Sequence, residues 1–475
     1  MNKRVMSDAG AAPGAPARPP GIIFILTDDL GWGDLGCYGN RDVRTPRLDR
    51  MAAEGLLFTD FHVASPVCSP SRAAFMTGQY PSRLRIHHAI ADPLGPEEQA
   101  AGMRPFVDPD VLNLQTVLKT AGYACAHFGK WHLGGGQGAP EPADYGFDAT
   151  RVVNGRGPTW DTSDPYFRAR STGLMVDEAI GFIRQNRDRP FYINIWTQLP
   201  HAVLNPTPEQ LEPWLDLHKP VSAPYPGATA IYYASLEDLD TQVGRLLDAL
   251  DEMGLGESTL VLFSSDNGPE DIHIRNASHS SAGSPGPFRG RKRSLYEGGI
   301  RMPFIARMPG RVPAGRVDDA CSLAAVDLLP TLASAAGAPL PPDAALDGED
   351  LTEALFGRGA ARKKDLFWEW RFGYVGEPIG WSPALAVREG SLKLLMNPDG
   401  GRVELYDLAA DPSDVDNVAA SRPEDVSRLR AKLDDWRREL PPGCFSKYAG
   451  DNSYPWPRTS RSIRAGVRGA SHRVW

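Results

Sequence analysis

The run Pro66-Val67-Cys68-Ser69-Pro70-Ser71-Arg72-Ala73-Ala74 sets a cysteine just ahead of a helix start. Ser69 is a good N-cap and Pro70 suits the first helical position, so Cys68 is expected at the anion-attracting end of a helix. A thiol placed there is expected to be acidic and reactive. Four other places pair the end of a short apolar run with polar, chemically capable residues. Ile22-Ile23-Phe24-Ile25-Leu26 runs into Asp28-Asp29, and Tyr123 to Phe128 runs into Gly129-Lys130-Trp131-His132. Phe191-Tyr192-Ile193-Asn194-Ile195-Trp196 runs toward Pro200-His201, and Leu260-Val261-Leu262-Phe263 runs into Asp266-Asn267-Gly268. Asp28, Asp29, Asp266 and Asn267 are hard oxygen ligands, suited to calcium or magnesium and poorly suited to zinc or copper. A soft sulfur beside such oxygens is out of place. Any one of these segments reads equally well as core followed by a solvated turn; the four together point to one composite site.

The elements that must position these residues follow from the same pattern. Continuous apolar runs suit strands buried on both faces, as in a parallel sheet covered by helices, where ligands bind beyond the carboxyl ends of the strands. Residues 21–360 alternate strand-like and helical segments, which implies a layered α/β domain. The clearest helix is Ile231 to Met253, with Leu236, Leu239, Val243, Leu246, Leu247 and Leu250 as its apolar stripe and Gly254 as its stop. Glu237 and Asp240 on it are expected to be solvated or locally paired. From about Asp365 the texture changes. Ala384–Arg388, Leu392–Met396 and Val403–Leu408 read as an antiparallel meander, and Pro423 to Leu440 as a helix. The chain thus divides into a disordered leader (1–20), a catalytic domain (21–364), a sheet-and-helix subdomain (365–440) and an Arg/Pro-rich tail (441–475). The tail is expected to be disordered or to form an arm on a second subunit, a route to a homo-oligomer that Trp456 and Trp475 favour.

With 475 residues and 41% hydrophobic content, the chain can bury a large core plus a smaller one. A net charge of −8 argues against broad nucleic-acid binding, and no apolar stretch is long enough for a membrane span. Cys37, Cys68, Cys125, Cys321 and Cys444 are too few and scattered for a disulfide framework, and no CxxC pair suggests zinc. The N-terminal stretch lacks the apolar core of a secretory signal, so a cytoplasmic protein is expected.

The cysteine segment carries Cys-x-Pro-x-Arg, the signature of the sulfatases, and the chain resembles that family over nearly all of residues 21–420. It carries Leu26-Thr27-Asp28-Asp29-Leu30-Gly31-Trp32-Gly33-Asp34, Thr77-Gly78-Gln79-Tyr80-Pro81, Gly129-Lys130-Trp131-His132-Leu133-Gly134 and Ser265-Asp266-Asn267-Gly268. Further on stand Lys292-Arg293-Ser294-Leu295-Tyr296-Glu297-Gly298-Gly299-Ile300-Arg301, Glu404-Leu405-Tyr406-Asp407-Leu408 and Asp411-Pro412. The fold that the resemblance implies is an alkaline-phosphatase-like α/β/α sandwich with a smaller C-terminal antiparallel sheet-plus-helix domain.

The resemblance also implies roles. Cys68 is expected to be oxidised to formylglycine by a formylglycine-generating enzyme, which lets the residue offer oxygen to the cation. Asp28, Asp29, Asp266 and Asn267 match the family's metal ligands, with modified Cys68 completing the shell; calcium is usual, and magnesium or manganese are alternatives. One hydroxyl of the hydrated aldehyde is expected to attack sulfur while the metal polarises the sulfate. Arg72 is expected to hold that hydroxyl, and Lys130 and Lys292 to clamp the sulfate and the leaving-group side. His201 matches the histidine that protonates the leaving alcohol, and His132 the one that takes a proton from the second hydroxyl so that the aldehyde is regenerated by elimination.

Other readings stand beside these. Lys292 lies between Arg291 and Arg293, and a basic run reads as solvated surface; its place five before Glu297-Gly298-Gly299 marks it out. His62, His87, His88 and His127 are expected to cap or satisfy local structure, while His273 and His279 sit in a Gly/Ser-rich surface loop. The expected activity is hydrolysis of a small-molecule or carbohydrate sulfate ester to sulfate and an alcohol or phenol. The alternatives are a phosphonate or phosphate ester hydrolase of the same superfamily and a non-catalytic binder of sulfated ligands. Arg83, Arg85 and Arg156 suit an anionic sugar or merely the surface, and the Gly283 to Gly290 approach to Lys292 resembles amino-sugar sulfatases.

Overall fold

The apolar runs that end in polar residues are strands. The computed structural model describes residues 19–217, 227–271, 279–374, 376 and 378–451. β1 (Gly21–Thr27), β2 (Leu56–His62), β3 (Ala124–Lys130), β4 (Ala149–Val153), β5 (Phe191–Trp196), β6 (Thr259–Ser265), β7 (Arg301–Arg307), β8 (Arg316–Asp318) and β9 (Leu323–Ala324) form one sheet. Its order is β4-β3-β5-β1-β6-β7-β2-β8, with β9 beside β2. Only β7 runs against its neighbours. β1, β3, β5 and β6 are buried along their whole length, as their unbroken apolar character requires.

Alternate side chains of β1 enter two different cores. Ile22, Phe24 and Leu26 pack with the helix Cys68–Thr77 and the helix Leu328–Ala336. Ile23 and Ile25 pack with the helices Phe167–Asn186 and Ala228–Glu252. This is a helix/sheet/helix sandwich built on period-two alternation. Backbone bonds then lace neighbouring strand ends together: Thr197 N donates to Leu26 O (2.8 Å), Asp28 N to Leu199 O (3.1 Å) and Asp266 N to Thr27 O (3.1 Å). The polar residues after β1, β5 and β6 therefore emerge along one edge.

A second, antiparallel sheet comprises β10 (Leu366–Glu369), β11 (Leu385–Glu389), β12 (Leu392–Met396) and β13 (Glu404–Asp407). The helix Pro423–Arg438 covers it, burying Leu429, Leu433 and Trp436. Its apolar residues join the core on the Cys68 face of the main sheet. A buried ionic cluster ties the two sheets. Arg388 on β11 grips both oxygens of Asp60 on β2 at 2.9 and 2.7 Å. Lys393 on β12 meets Glu297 at 2.7 Å and Asp414 at 3.1 Å.

Three expectations change. The long helix begins at Ala228, ahead of Ile231. Asp240 on it is neither solvated nor paired within its helix: it is buried and accepts the backbone N–H groups of Arg47 (3.0 Å) and Leu48 (2.7 Å), capping the helix Pro46–Ala53. The start of the tail packs on its own chain, with Ser446 N donating to Arg371 O (2.8 Å) and Gly373 bridging Ala449. Trp456 and Trp475 lie outside the described residues, as does the leader through residue 18. All five cysteines are free thiols. No helix among the described residues is long and apolar enough to cross a membrane.

Candidate active site

Cys68 is the first residue of its helix, with Val67 at the capping position. Ser69, expected as the cap, instead accepts the Ile90 N–H at 2.9 Å and pins the Ile90 segment above the cysteine. The thiol points at Asp28, with Sγ 3.4 Å from Oδ1. Burial pushes it up to about 12; Lys130 and Lys292 pull it down, but Asp28 and Asp266 oppose them. The expected acidic thiol is thus overturned, because desolvation outweighs the helix terminus and the lysines. As a thiol, Cys68 is a poor nucleophile.

Around it stand three carboxylates and three cations. Lys130 Nζ, at the end of β3, is 2.6 Å from Asp28 Oδ2. Lys292 Nζ is 2.7 Å from both oxygens of Asp29. Arg72, one turn along the Cys68 helix, donates to Asp266 Oδ2 through Nε (2.9 Å) and its terminal nitrogen (2.6 Å). Asn267 donates to Asp29 Oδ1 at 2.7 Å. His201 Nε2 lies 3.8 Å from Asp29 Oδ2, while its Nδ1 is 2.7 Å from Ala202 O. His132 feels the charges of Lys130, Asp28 and Arg72, and its Nδ1 is buried without a partner. All ten residues expected at the site meet here.

Electrostatics divides the carboxylates. Burial works to raise Asp28, but Lys130, His201, Arg72 and Lys292 together hold it well below the carboxylate range. Burial lifts Asp266 to about 6 despite Arg72, aided by the charge of Asp28. Burial also lowers both His201 and His132, favouring neutral imidazoles. The Lys292 segment is folded back tightly by glycine. A Cβ on Gly298 would stand 2.2 Å from Gly290 O, and one on Gly299 2.1 Å from Ser294 O.

The oxygens fit a hard cation. Ligand atoms of Asp28, Asp29, Cys68 and His201 all lie within 4.8 Å of one another. Asn267 Oδ1 is buried with no hydrogen-bond partner, an orphan acceptor that a cation would satisfy. The thiol is the misfit, and oxidation of Cys68 would replace its sulfur with oxygen.

The remaining histidines and arginines have other employment. His62 contacts Glu297 at 2.9 Å in the ionic cluster, and His87 contacts Glu369 at 3.2 Å. His88 stacks on Trp370. The His127 ring fills local structure, wedged among Trp131, Phe147 and Trp196 beside the backbone of Gly129 and Lys130. Arg83 pairs with Asp347 and Glu439, and Arg156 donates to Ala139 O. His273 lies outside the described residues. Sequence reasoning missed Glu270, Asp34 and Arg168. Glu270 braces Lys292 (3.6 Å) and Arg293 (2.5 Å). Asp34 accepts the N–H groups of Gly31 (2.6 Å) and Ser284 (2.7 Å) and the hydroxyl of Tyr232 (2.6 Å), joining the β1 loop to the approach to Lys292. Asp34 ends one quoted motif and Glu270 lies two residues after another, which was their available signal; Arg168 had none.

Comparison with known proteins agrees with this geometry. A family model described as Sulfatase matches residues 20–338, and one described as N-sulphoglucosamine sulphohydrolase, C-terminal, matches residues 288–439. Human arylsulfatase A is 33% identical over 463 residues, spanning 88% of this chain and 87% of its own length. Dog N-acetylgalactosamine-6-sulfatase is 36% identical over 401 residues, spanning 77% and 71%. Among solved structures, Ps i-CgsB in complex with k-i-k-neocarrahexaose superposes with a TM-score of 0.75 at 23% identity, over 95% of this chain and 98% of that one.

Proposed function

From the premise that this chain belongs to the sulfatase family and hydrolyses sulfate esters, we propose that it acts through oxidised Cys68 and a divalent cation, with calcium as the first candidate. The observation that supports this most is the inert, buried Cys68 thiol aimed at Asp28 inside a ring of hard oxygens and cations. Asp28, Asp29, Asp266 and Asn267 would hold the cation. Once in place, the two groups supply a hydrated aldehyde hydroxyl as nucleophile and a Lewis acid for the sulfate oxygens.

The chain's own residues do the rest. Arg72, fully buried and fixed by Asp266, holds its charge beside Cys68, where it would stabilise negative charge on the oxidised side chain. Lys130 and Lys292 turn from their carboxylates toward the sulfate oxygens as substrate enters. His201 Nδ1 donates to Ala202 O, so its Nε2 faces the site and, once protonated to the imidazolium that Asp28 and Asp29 favour, hands that proton to the leaving oxygen. His132, kept neutral by burial, is ready to take a proton. A formylglycine-generating enzyme is the partner this scheme requires, and cytoplasmic residence belongs to the same proposal.

Mass spectrometry of the Cys68 peptide, from protein made beside such an enzyme, tests the scheme; a wholly unmodified cysteine would sink it. Aryl sulfates and sulfated amino sugars, the groups named for the relatives, are the first substrates to try. Matched aryl sulfate and phosphonate esters separate the remaining readings, and a higher kcat/KM for the phosphonate would displace sulfate as the preferred ester.

A further inference from the structure

Among the described residues, every other cation around the catalytic ring is held by a protein partner. Arg72 is held by Asp266, Lys130 by Asp28, Lys292 by Asp29 and Arg293 by Glu270. Arg291 donates to the carbonyls of Glu270, Ser281 and Gly283. Arg168 differs. It lies in the first turn of the helix Phe167–Asn186, partly buried, and donates one bond, to His201 O at 3.1 Å. Among the described residues it forms no ion pair, and none of its nitrogens is sealed from solvent without a partner. Its charge is nonetheless close enough to Asp28 and Asp29 to feel both.

That bond is not needed to hold the neighbouring loop. Asn205 donates to Pro165 O, and Gln210 donates to Ala169 O at 3.2 Å, so the two segments are joined on both sides of Arg168. The guanidinium is therefore spare: a partly desolvated fork of donors beside the face of the site that His201 serves. Val203, 57% exposed, provides apolar surface two residues from His201.

We propose that Arg168 is a specificity residue that binds a second anionic group, a carboxylate or another sulfate, on the leaving-group side of the substrate. This rests on the sulfate-ester reading above and names its substrate class: acidic sugars or rings that carry one charge beyond the ester to be cleaved. Uncharged leaving groups, such as nitrophenol, leave the fork unmatched.

The test compares three 6-sulfated probes: N-acetylglucosamine 6-sulfate, which has no second anion; glucosamine 2-N,6-O-disulfate, with a second sulfate; and the chondroitin 6-sulfate disaccharide, with a carboxylate. Arg168→Ala should lower kcat/KM for one or both dianionic probes at least about tenfold more than for the singly charged one, since bonds to charged groups are worth that much. The probe that suffers identifies the anion, and Arg168→Lys should restore part of the loss. Equal losses on all three would mean that Arg168 only positions His201, and no loss on any would mean an idle surface residue; either overturns the proposal. Calorimetric binding of the disulfate and the disaccharide to Cys68→Ala protein, with and without Arg168→Ala, reads the contact without turnover. Where the wild-type enzyme is silent on all three, binding decides: weakened binding of either dianionic probe in the Arg168→Ala background upholds the anion site. Unchanged binding of both probes overturns it.

Discussion

Two buried clusters in this molecule have the same charge inventory. Around Cys68, Asp28, Asp29 and Asp266 face Arg72, Lys130 and Lys292. Between the two sheets, Asp60, Glu297 and Asp414 face Arg301, Arg388 and Lys393, with His62 on Glu297. Asp60, His62 and Glu297 even approach one another as closely as metal ligands do. The difference is access and satisfaction. In the sheet-joining cluster the cations already bridge carboxylates that belong to different elements, and Lys393, His62 and Glu297 are sealed from solvent. One oxygen of Asp414 lacks a partner, but burial raises that carboxyl, which favours its uncharged form. The Cys68 cluster instead lies at strand ends, keeps Asn267 Oδ1 unmet and has His201 32% exposed. The same charges make a structural lock in one place and, in the other, the accessible and unsatisfied cluster proposed as the reaction centre.

The sharpest break in this symmetry is Cys68→Ala. It should reduce turnover of an aryl sulfate on the order of 10⁴-fold or more, as removal of a nucleophile does, with little change in thermal unfolding. Arg388→Met should do the reverse. Leaving Asp60 without its main partner is expected to cost about 3–5 kcal/mol of stability by urea titration, with kcat nearly unchanged under conditions where the variant stays folded.

Calcium should tell the clusters apart as well. At about 100 times its Kd it should stabilise the protein by about 2.7 kcal/mol in a melting experiment. The gain should vanish in Asp29→Asn and survive in Asp60→Asn; survival in Asp29→Asn would move the cation elsewhere. The smallest effect is a pH dependence. Burial alone would raise Asp60, but Arg388 and its neighbours outweigh it and hold the carboxyl at about 2. A depressed acid contributes stability above its unfolded pKa near 4 and loses it as pH falls toward 2, an effect of about 2 kcal/mol. Acid unfolding of wild type against Asp60→Asn should show that slope only in wild type.

Much of the architecture could be read beforehand, since β1, β3, β5 and β6 announce themselves by local apolar runs that a doubly covered sheet demands. The polar residues after them were equally visible. What misled was the surroundings of single groups. Asp240 looked like a solvated helix residue, yet it caps a helix nearly 200 positions away (193 residues to Arg47).

By itself the sequence singled out the residues proposed to bear the chemistry, because motif spacing and strand-end placement are local properties of the chain. Only the tertiary structure decided their condition. It raised the Cys68 thiol to about 12, matched Lys292 with Asp29 across 263 positions and left Arg168 without an ion-pair partner beside His201. Desolvation and charge pairing depend on what the fold brings alongside a group, and no local window of sequence contains that information.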